Sequence, residues 1–297
     1  MQNAIEGNFM ADLLRRRSTG AARLRELIAG PELACAPGVY DALSARLAEA
    51  GGAEVVYMTG FGVAAARLGR PDVGLLTMTE MAAQAAAIAS AVDVPLIADA
   101  DTGYGNPINV IRTVQTYEQA GVAGIQLEDQ TWPKKCGHMA DKSVIPSDEM
   151  ARKIEAAVAA RENPDTVIIA RTDALAPVGY DEAIRRSRQY RDAGADVIFV
   201  EALRSEEQMR QARADLDGVD LLFNWVEGGK SPTPSVATLR DIGFALSIYP
   251  ISGLLSATKA LQEAYASVPP VSSGMQFAEF TDAIGLDEIL TLNARFA

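Results

Sequence analysis

The sequence predicts an α/β protein that forms a closed (β/α)8 barrel, the TIM barrel architecture. Short runs rich in Val and Ile alternate with longer segments rich in Ala, Glu and Arg, which is typical of βα units in a parallel sheet. Eight such units follow one another between residues 33 and 266 without a linker, whereas a doubly wound sheet usually has fewer strands. We expect a single domain over residues 1–297, with a helical extension at about residues 8–29 and a tail from about residue 267.

Each predicted strand is short and apolar, and a helical pattern follows it. The predicted strands are Leu33–Pro37, Val55–Thr59, Pro95–Ala98, Gly124–Leu127, Val167–Ala170, Val197–Val200, Leu221–Asn224 and Phe244–Ile248. The predicted helices are Asp41–Ala50, Thr79–Ala91, Pro107–Ala120, Ser147–Arg161, Tyr180–Ala193, Glu206–Ala214, Ser235–Asp241 and Ser252–Ala266. Gly51, Gly121 and Gly194 follow three of these helices and are expected to supply a left-handed residue at the end.

The composition excludes several classes of protein. Lys and Arg number 27 against 39 Asp and Glu, a net charge of −12, which excludes a basic surface for nucleic acid. A single histidine, His138, and two cysteines, Cys35 and Cys136, are too few for a zinc site with several His or four Cys ligands. No apolar run reaches the ~18 residues of a membrane-spanning helix, and the first residues lack the apolar region of a signal peptide. We expect a cytoplasmic protein.

Polar side chains follow six of the predicted strands. Because active-site groups of a (β/α)8 barrel lie at the carboxyl ends of its strands, these residues are expected to meet on one face. Each taken singly is also explained as a helix cap or a solvated turn. The residues are Thr59-Gly60, Asp99 with Asp101, Glu128-Asp129, Arg171-Thr172-Asp173, Glu201 and Asn224.

Three of these acids are candidate metal ligands. Asp99 and Asp101 are two residues apart and point the same way if the strand continues. With Glu128 they offer the all-oxygen donor set that Mg2+ or Mn2+ prefers. The alternative is that one acid caps the helix near Pro107 or pairs with Arg171.

The connection Asp129–Pro146 is the longest without a periodic pattern, and loops of this length inside a compact domain are usually functional. It contains Lys134-Lys135-Cys136-Gly137-His138. Neighbouring lysines favour the thiolate, so Cys136 is a candidate proton donor or acceptor; the alternative is an exposed basic loop. Cys35, in an apolar strand, is expected to be a small buried side chain.

A glycine pattern, Gly60-x-Gly62-x-x-Ala65, resembles the loose form of a dinucleotide-binding fingerprint. No strand ending in an acid follows within about 20 residues, and residues 67–77 look like a loop instead of the helix that should receive a pyrophosphate. We therefore do not expect a dinucleotide there.

The motifs resemble the isocitrate lyase and phosphoenolpyruvate mutase superfamily. Lys134–His138 is similar to the signature region of isocitrate lyases, and Asp99–Gly105 is similar to the metal motif of the superfamily. Further similar segments extend the likeness to roughly residues 33–260: Tyr40–Arg46, Leu127–Gln130, Ala170–Ala174 and Asn224–Lys230. The sequence most resembles the group of 2,3-dimethylmalate lyase, methylisocitrate lyase and oxaloacetate hydrolase.

This resemblance implies a barrel whose eighth helix is exchanged between subunits, in homotetramers made of two swapped dimers. It implies Mg2+ held by Asp99, Asp101 and Glu128, partly through water. It implies Cys136 as the acid and base, with Lys135, His138 or Arg171 stabilising developing charge. The implied substrate-binding residues are Thr59, Gly60, Phe61, Asp99, Arg171, Glu201 and Asn224.

The implied activity is Mg2+-dependent cleavage of the C2–C3 bond of a 2-hydroxy di- or tricarboxylate, giving pyruvate or another 2-keto acid and a saturated carboxylate. Alternatives are an oxaloacetate hydrolase or decarboxylase and a carboxyphosphonoenolpyruvate phosphonomutase. A barrel that only binds a ligand is disfavoured because it would need no proton donor. Trp225 departs from the resemblance, which implies Met there; it either narrows the distal pocket or packs in the core.

Overall fold

The computed structural model describes residue 14 and residues 20–134, 142–229, 231–267 and 274–297. Its strands are β1 (Ala34–Val39), β2 (Val56–Met58), β3 (Leu96–Asp99), β4 (Gly124–Glu128), β5 (Val167–Thr172), β6 (Val197–Val200), β7 (Asp220–Asn224) and β8 (Leu246–Tyr249). Every strand is parallel to its neighbours in chain order, and β8 pairs with β1 through the register Ala34↔Leu246, so the barrel is closed. This confirms the predicted fold, with all strand ends within two residues of the prediction.

The eight predicted helices are also present. They are α2 (Ala42–Ala50), α4 (Met78–Ala89), α5 (Pro107–Gln119), α6 (Ser147–Ala160), α8 (Tyr180–Asp192), α9 (Glu206–Asp215), α10 (Val236–Ile242) and α11 (Ser252–Ala264). Helix α1 (Ala21–Ile28) lies within the range expected for the N-terminal helical extension. The described residues contain four further helices, α3 (Gly60–Leu68), α7 (Leu175–Val178), α12 (Phe277–Ala283) and α13 (Leu286–Phe296). One predicted stop is wrong in detail: Gly51 has φ −74°, and it is Gly52, at +92°, that takes the left-handed conformation.

The core has two layers because side chains alternate between the two faces of each strand. Tyr57, Ile97 and Phe199 belong to the inner layer, which fills the barrel. Met58 and Leu96 belong to the outer layer, which packs strands against helices. Both layers are closed to solvent, so the barrel is a rigid frame and not a pore.

Helix α1 packs into the inner layer through Leu24 and Ile28. The Arg25 guanidinium fixes it there by donating to the Asp165 carbonyl (2.9 Å) and pairing with Asp196 Oδ1 (3.0 Å). Since Asp165 and Asp196 precede β5 and β6, α1 lies at the amino ends of the strands. The carboxyl ends remain available for a site.

Helix α11, which follows β8, buries none of its side chains. A groove of about 720 Å3 is lined by the β1 residues Cys35 and Pro37 together with Ala48 and Tyr249. Cys35, expected to be buried, is therefore only partly buried. Within the described ranges, none of the helices has the length and apolar composition to cross a bilayer.

Candidate active site

A cavity of about 250 Å3 opens at the carboxyl ends of the strands. It brings together six residues that the sequence predicted: Thr59, Phe61, Asp99, Glu128, Arg171 and Asn224. The sequence analysis missed Tyr57, Asp72, Val226, Glu227, Gly228, Gly229, Ile248, Pro250 and Ile251 as lining residues, and it treated Lys134 only as one of the lysines beside Cys136. The apolar members of this set lie inside strands or in uncharged loops. At such positions the sequence does not distinguish a residue that lines a pocket from one that packs in the core.

The loop after β3 brings Asp99 and Asp101 together, although not as expected. The strand ends at Asp99, and Asp101 lies in the left-handed region (φ 48°) with its N–H donating to Asp99 Oδ1 (3.0 Å). A turn, and not strand alternation, therefore places both carboxyl groups at the site. The Tyr117 hydroxyl donates to the Asp99 carbonyl (3.1 Å) and ties this turn to α5.

Lys134 is a buried cation among the carboxylates. Its Nζ lies 2.7 Å from Asp101 Oδ1 and 2.5 Å from Asp72 Oδ2. Burial lowers the pKa of Lys134, but Asp101, Asp99 and Asp72 outweigh that effect and raise it well above its ordinary value. The ammonium group is therefore a fixed positive charge of the site.

The acids of the site carry more charge than its cations neutralise. Burial raises the pKa of Asp101 to about 6, with Lys134 opposing and Asp99 adding to the shift. Burial likewise raises the pKa of Glu128 well above its ordinary value, although Arg171 opposes it. Both shifts indicate carboxylates that a further cation would stabilise.

The donor chemistry fits a hard divalent cation. Glu128 Oε1 is buried without a hydrogen-bond partner in the described structure. The helix cap proposed as an alternative is absent at α5, because Asn106 caps that helix. Within the described residues, however, no three His, Cys, Asp or Glu side chains are close enough to hold one ion directly. Asp99, Asp101 and Glu128 therefore fit an ion that keeps water between itself and some of its ligands.

Arg171 is held by acids on three sides. Its Nε and Nη2 donate to the two oxygens of Asp173 (2.8 and 2.9 Å), Nη2 lies 3.4 Å from Glu201 Oε2, and Nε lies 3.5 Å from Glu128 Oε2. The guanidinium group also stacks over the Phe199 ring at 5.0 Å. This confines the side chain to one orientation, in which Asp173 takes the Nε–Nη2 edge and Nη1 is the nitrogen left to meet a ligand carboxylate.

Asp129 links the ends of β4 and β5. Its carboxylate accepts hydrogen bonds from the Thr172 hydroxyl (2.8 Å), the Asp173 N–H (2.8 Å), Arg186 Nη1 (3.1 Å) and the Tyr190 hydroxyl (2.8 Å). Asp129 was predicted only as a polar strand end. Its four bonds hold the residues that follow Arg171, so it supports the site from behind.

Helix α3 begins at the cavity, which the sequence analysis did not foresee. The Thr59 hydroxyl accepts a hydrogen bond from the Gly62 N–H (3.3 Å) and caps the helix. A Cβ on Gly60 would lie 2.7 Å from Asp99 Oδ2, so only glycine lets this first turn approach the acids. The first turn of α3 therefore directs N–H groups toward the space beside Asp99, where an anionic group is favoured.

The β7 side of the site holds Asn224 and Glu201. Asn224 Nδ2 donates to Glu201 Oε2 (3.1 Å), and Asn224 Oδ1 is buried without a partner among the described residues. Trp225 points away: its Nε1 donates to the Pro234 carbonyl (3.2 Å), and its ring lies 5.5 Å from that of Tyr249. Of the two interpretations of Trp225, packing is the one that these contacts support.

The expected proton donor, Cys136, and its neighbours Lys135 and His138 lie outside the described residues. The residues on either side of that segment are described. Lys134 lines the cavity, and Lys142 Nζ pairs with Asp173 Oδ1 (2.6 Å), the same carboxylate that holds Arg171.

Comparison with known proteins gives consistent matches. The family model described as phosphoenolpyruvate phosphomutase matches residues 24–269. The 2,3-dimethylmalate lyase of Eubacterium barkeri is 46% identical over 284 residues, which cover 93% of this chain and 98% of that protein. The probable 2-methylisocitrate lyase 1 of Corynebacterium glutamicum is 46% identical over 257 residues, covering 86% of this chain and 83% of that protein. Oxaloacetate acetylhydrolase, solved with the inhibitor 3,3-difluorooxalacetate, superposes with a TM-score of 0.89 at 41% identity, covering 94% of this chain and 98% of that one.

Proposed function

Because the chain belongs to the phosphoenolpyruvate phosphomutase family and is a carbon–carbon lyase of the isocitrate lyase and phosphoenolpyruvate mutase superfamily, we propose that its substrate is a 2-hydroxy di- or tricarboxylate of the 2-alkylmalate or methylisocitrate type. Its products are pyruvate, or another 2-keto acid, and a saturated carboxylate. The observation that carries this proposal is one cavity lined by a confined Arg171, by two acids, Asp99 and Glu128, and by the first turn of a helix.

Two groups bind the keto-acid half of the substrate. Thr59, Gly60 and Phe61 present the N–H groups of the first turn of α3 to its carboxylate, where the positive end of the helix dipole favours an anion. Arg171 is the charged clamp, and Glu201 and Asn224 orient the clamp and the substrate oxygens.

Lyases and mutases of this superfamily generally depend on a divalent metal ion. In this chain Asp99, Asp101 and Glu128 would hold Mg2+, or Mn2+ in its place, and Asp99 would also contact the substrate. When bound, the ion would lower the energy of the negative charge on the 2-oxygen. Lys134, paired with Asp101 and Asp72, holds those carboxylates in place.

Bond cleavage requires a proton at the carbon that becomes the saturated acid. As the C2–C3 bond breaks, the 2-hydroxyl releases its proton to solvent, the 2-oxygen becomes a carbonyl, and the electron pair of the broken bond moves to C3 as an enolate of the leaving carboxylate. Cys136 as thiol donates the proton to C3. Lys135, His138 and Arg171 supply positive charge to the enolate.

Oxaloacetate hydrolysis is the second candidate, since the oxaloacetate acetylhydrolase structure is 41% identical to this chain over nearly its full length. The same pocket for a 2-oxygen and a carboxylate serves that reaction. Decarboxylation of oxaloacetate and the phosphonomutase reaction of carboxyphosphonoenolpyruvate are further alternatives. The assay described below tests both.

The enzyme is proposed to work as a cytoplasmic homotetramer, a dimer of dimers that exchange α11. Helix α11 buries none of its own side chains, and the groove beside β1 stays open in the single chain. Large apolar side chains of α11 to α13 are exposed, including Leu261 and Phe277, the latter 82% exposed. A second copy that places its α11 on this groove would bury both surfaces.

The test is a product-release assay with Mg2+ on 2,3-dimethylmalate, 2-methylisocitrate, isocitrate, oxaloacetate and carboxyphosphonoenolpyruvate. Pyruvate is the readout for the first two, glyoxylate for isocitrate, oxalate, acetate and pyruvate for oxaloacetate, and phosphorus NMR for the phosphonate. We expect one 2-hydroxy acid to be cleaved, Cys136→Ser to lose at least about 100-fold in kcat, and Cys35→Ser, the matched control, to retain activity. Turnover of oxaloacetate or the phosphonate alone would overturn the lyase assignment and leave the metal site standing.

A further inference from the structure

A second cavity lies beside the active site and shares none of its lining residues. It measures about 660 Å3, within the range of small-molecule sites. Its walls come from the loop before α4, from the turn after β3, and from the facing sides of α5 and α6. The residues that decide its chemistry are Arg112, Trp132, Glu149 and Lys153.

Lys153 is a buried cation without an ion pair. Its side chain is part of the cavity wall, the residue is only 4% exposed, and its Nζ donates to the Thr102 carbonyl (3.0 Å). Within the described part of the chain, no carboxylate lies within 4 Å of Nζ. Lys134 and Lys142, which are buried to the same degree, both have carboxylates at 2.7 Å or less. Burying an ammonium group without a counterion is costly. The surroundings of Lys153 therefore lack the negative charge that would stabilise it.

The charged side chains that line the cavity, Lys153 included, sum to one positive charge. Arg112 also lines it, and its guanidinium has no ion pair among the described residues. Glu149, one turn before Lys153 on α6, is the only acid in the wall that the structure describes. Burial lowers the pKa of Lys153, and the charge of Glu149 opposes this shift only in part.

We propose that this second cavity binds a small oxyanion, a carboxylate or phosphate group, between Lys153 and Arg112. Lys153 forms the inner contact and Arg112, which is exposed, the outer one. Thr113 and Asn109 on α5 add polar atoms to the same wall. The site is separate from the proposed reaction and does not depend on it.

A single hydrogen bond connects Lys153 of this cavity to the turn that carries Asp101 of the active site. Thr102, whose carbonyl accepts from Lys153, follows Asp101 directly in a turn with three left-handed residues, Asp101, Gly103 and Tyr104. The ammonium group has three protons, so it can bind an anion and keep its hydrogen bond to this carbonyl. An anion bound here is therefore connected through Lys153 to the turn that carries Asp101.

Binding can be followed through Trp132, which lines the cavity. The chain has two tryptophans, so in Trp225→Phe the fluorescence comes from Trp132 alone. The intact oligomer in this background is titrated with succinate and, separately, with inorganic phosphate at constant ionic strength, with chloride as the blank. The difference between the two titrations identifies which oxyanion the site prefers.

We expect a saturable change that Lys153→Met weakens at least tenfold and Arg112→Gln weakens several-fold, since hydrogen bonds to charged groups are the strong ones. Lys153→Arg should retain binding, which separates lost charge from a failure to fold. Arg152→Met, on the exposed face of α6 next to Lys153, is the matched control and should bind as the parent does. Arg171→Met should also bind as the parent does.

Three results would overturn the proposal. No saturable change with either anion is one, and unchanged binding in Lys153→Met is another. The third is loss of binding in Arg171→Met with retention in Lys153→Met, because the anion would then occupy the active site. Circular dichroism of each variant confirms that it is folded.

Discussion

Asp173→Asn tests whether charge holds Arg171 in place. Asp173 is buried and shared by two buried cations: Arg171 donates to it at 2.8 and 2.9 Å, and Lys142 lies at 2.6 Å. Asn has the same size without the charge, so both cations lose their common counterion. Removing one partner of a buried pair typically costs about 3–5 kcal/mol, and we expect a decrease of about 3 kcal/mol in the free energy of unfolding.

The acid dependence of stability gives an independent measure of the same interaction. Burial alone would raise the pKa of Asp173, but Arg171 and Lys142 outweigh it and lower the pKa from 3.8 to about 2. A carboxyl group whose pKa is lowered by folding stabilises the fold above its unfolded pKa, and this contribution is lost as the pH falls toward the folded value. The shift corresponds to about 2 kcal/mol, lost between about pH 4 and pH 2. Asp173→Asn should lack this part of the acid dependence.

The assay is urea unfolding at one fixed protein concentration, followed by circular dichroism at pH 7 and through the acid range. Asp148→Asn is the matched control, because Asp148 pairs with Arg152 on the exposed face of α6 and its midpoint should not change. In the same samples kcat/KM should fall about 100-fold for Asp173→Asn. The reasoning is refuted if Asp173→Asn unfolds at the same midpoint as the control.

Three further predictions concern the metal, α3 and Trp225. Chelation by EDTA should abolish turnover while leaving the circular dichroism spectrum unchanged, and Mg2+ should restore turnover, since the apolar core is closed without the ion. Gly60→Ala should raise the Mg2+ concentration needed for half activation about tenfold, because its Cβ would lie 2.7 Å from Asp99 Oδ2; an unchanged value would contradict the close approach of α3. Trp225→Met should cost about 2 kcal/mol of stability through the lost contacts with Tyr249 and Pro234. The relative rates of this variant on small and large 2-alkylmalates should stay within about twofold of those of the parent enzyme. A larger change would indicate that Trp225 lines the substrate pocket.

The fold could be predicted because two of its features can be read directly from the sequence. These are the spacing of apolar residues within each segment and the number of predicted strands. A run such as Val197–Val200, apolar at every position, belongs to a strand covered on both faces, and only a parallel sheet with helices outside provides that. The polar residues after the strands could be placed on one face for the same reason. Thr59, Asp99, Glu128 and Asn224 do meet in one cavity.

The ion pairs of the site could not be predicted, because they join residues far apart in the chain. Nothing in the sequence around Asp72 or Lys134 indicates that their side chains meet with Asp101. The same holds for Lys142 and Asp173. Sequence reasoning instead treated Lys134 as one of several basic residues in a loop. Its role as a buried counterion follows only from the closure of the barrel, which brings β3 and the loop after β4 together.

The glycine pattern at Gly60 and Gly62 marks the start of a helix that the sequence analysis did not foresee. The sequence analysis does not expect a dinucleotide there, because no strand ending in an acid follows within about 20 residues and residues 67–77 look like a loop. The structure has a helix that starts at Gly60 and runs to Leu68. The helix supplies the physical element that the fingerprint stands for, a glycine at a helix start that lets backbone N–H groups approach an anion. What differs is the neighbour that demands the glycine. Here that neighbour is the Asp99 carboxylate, so the pattern marks a helix start packed against an acidic cluster. The anion favoured at this helix start is therefore one small enough to share the space with a cation.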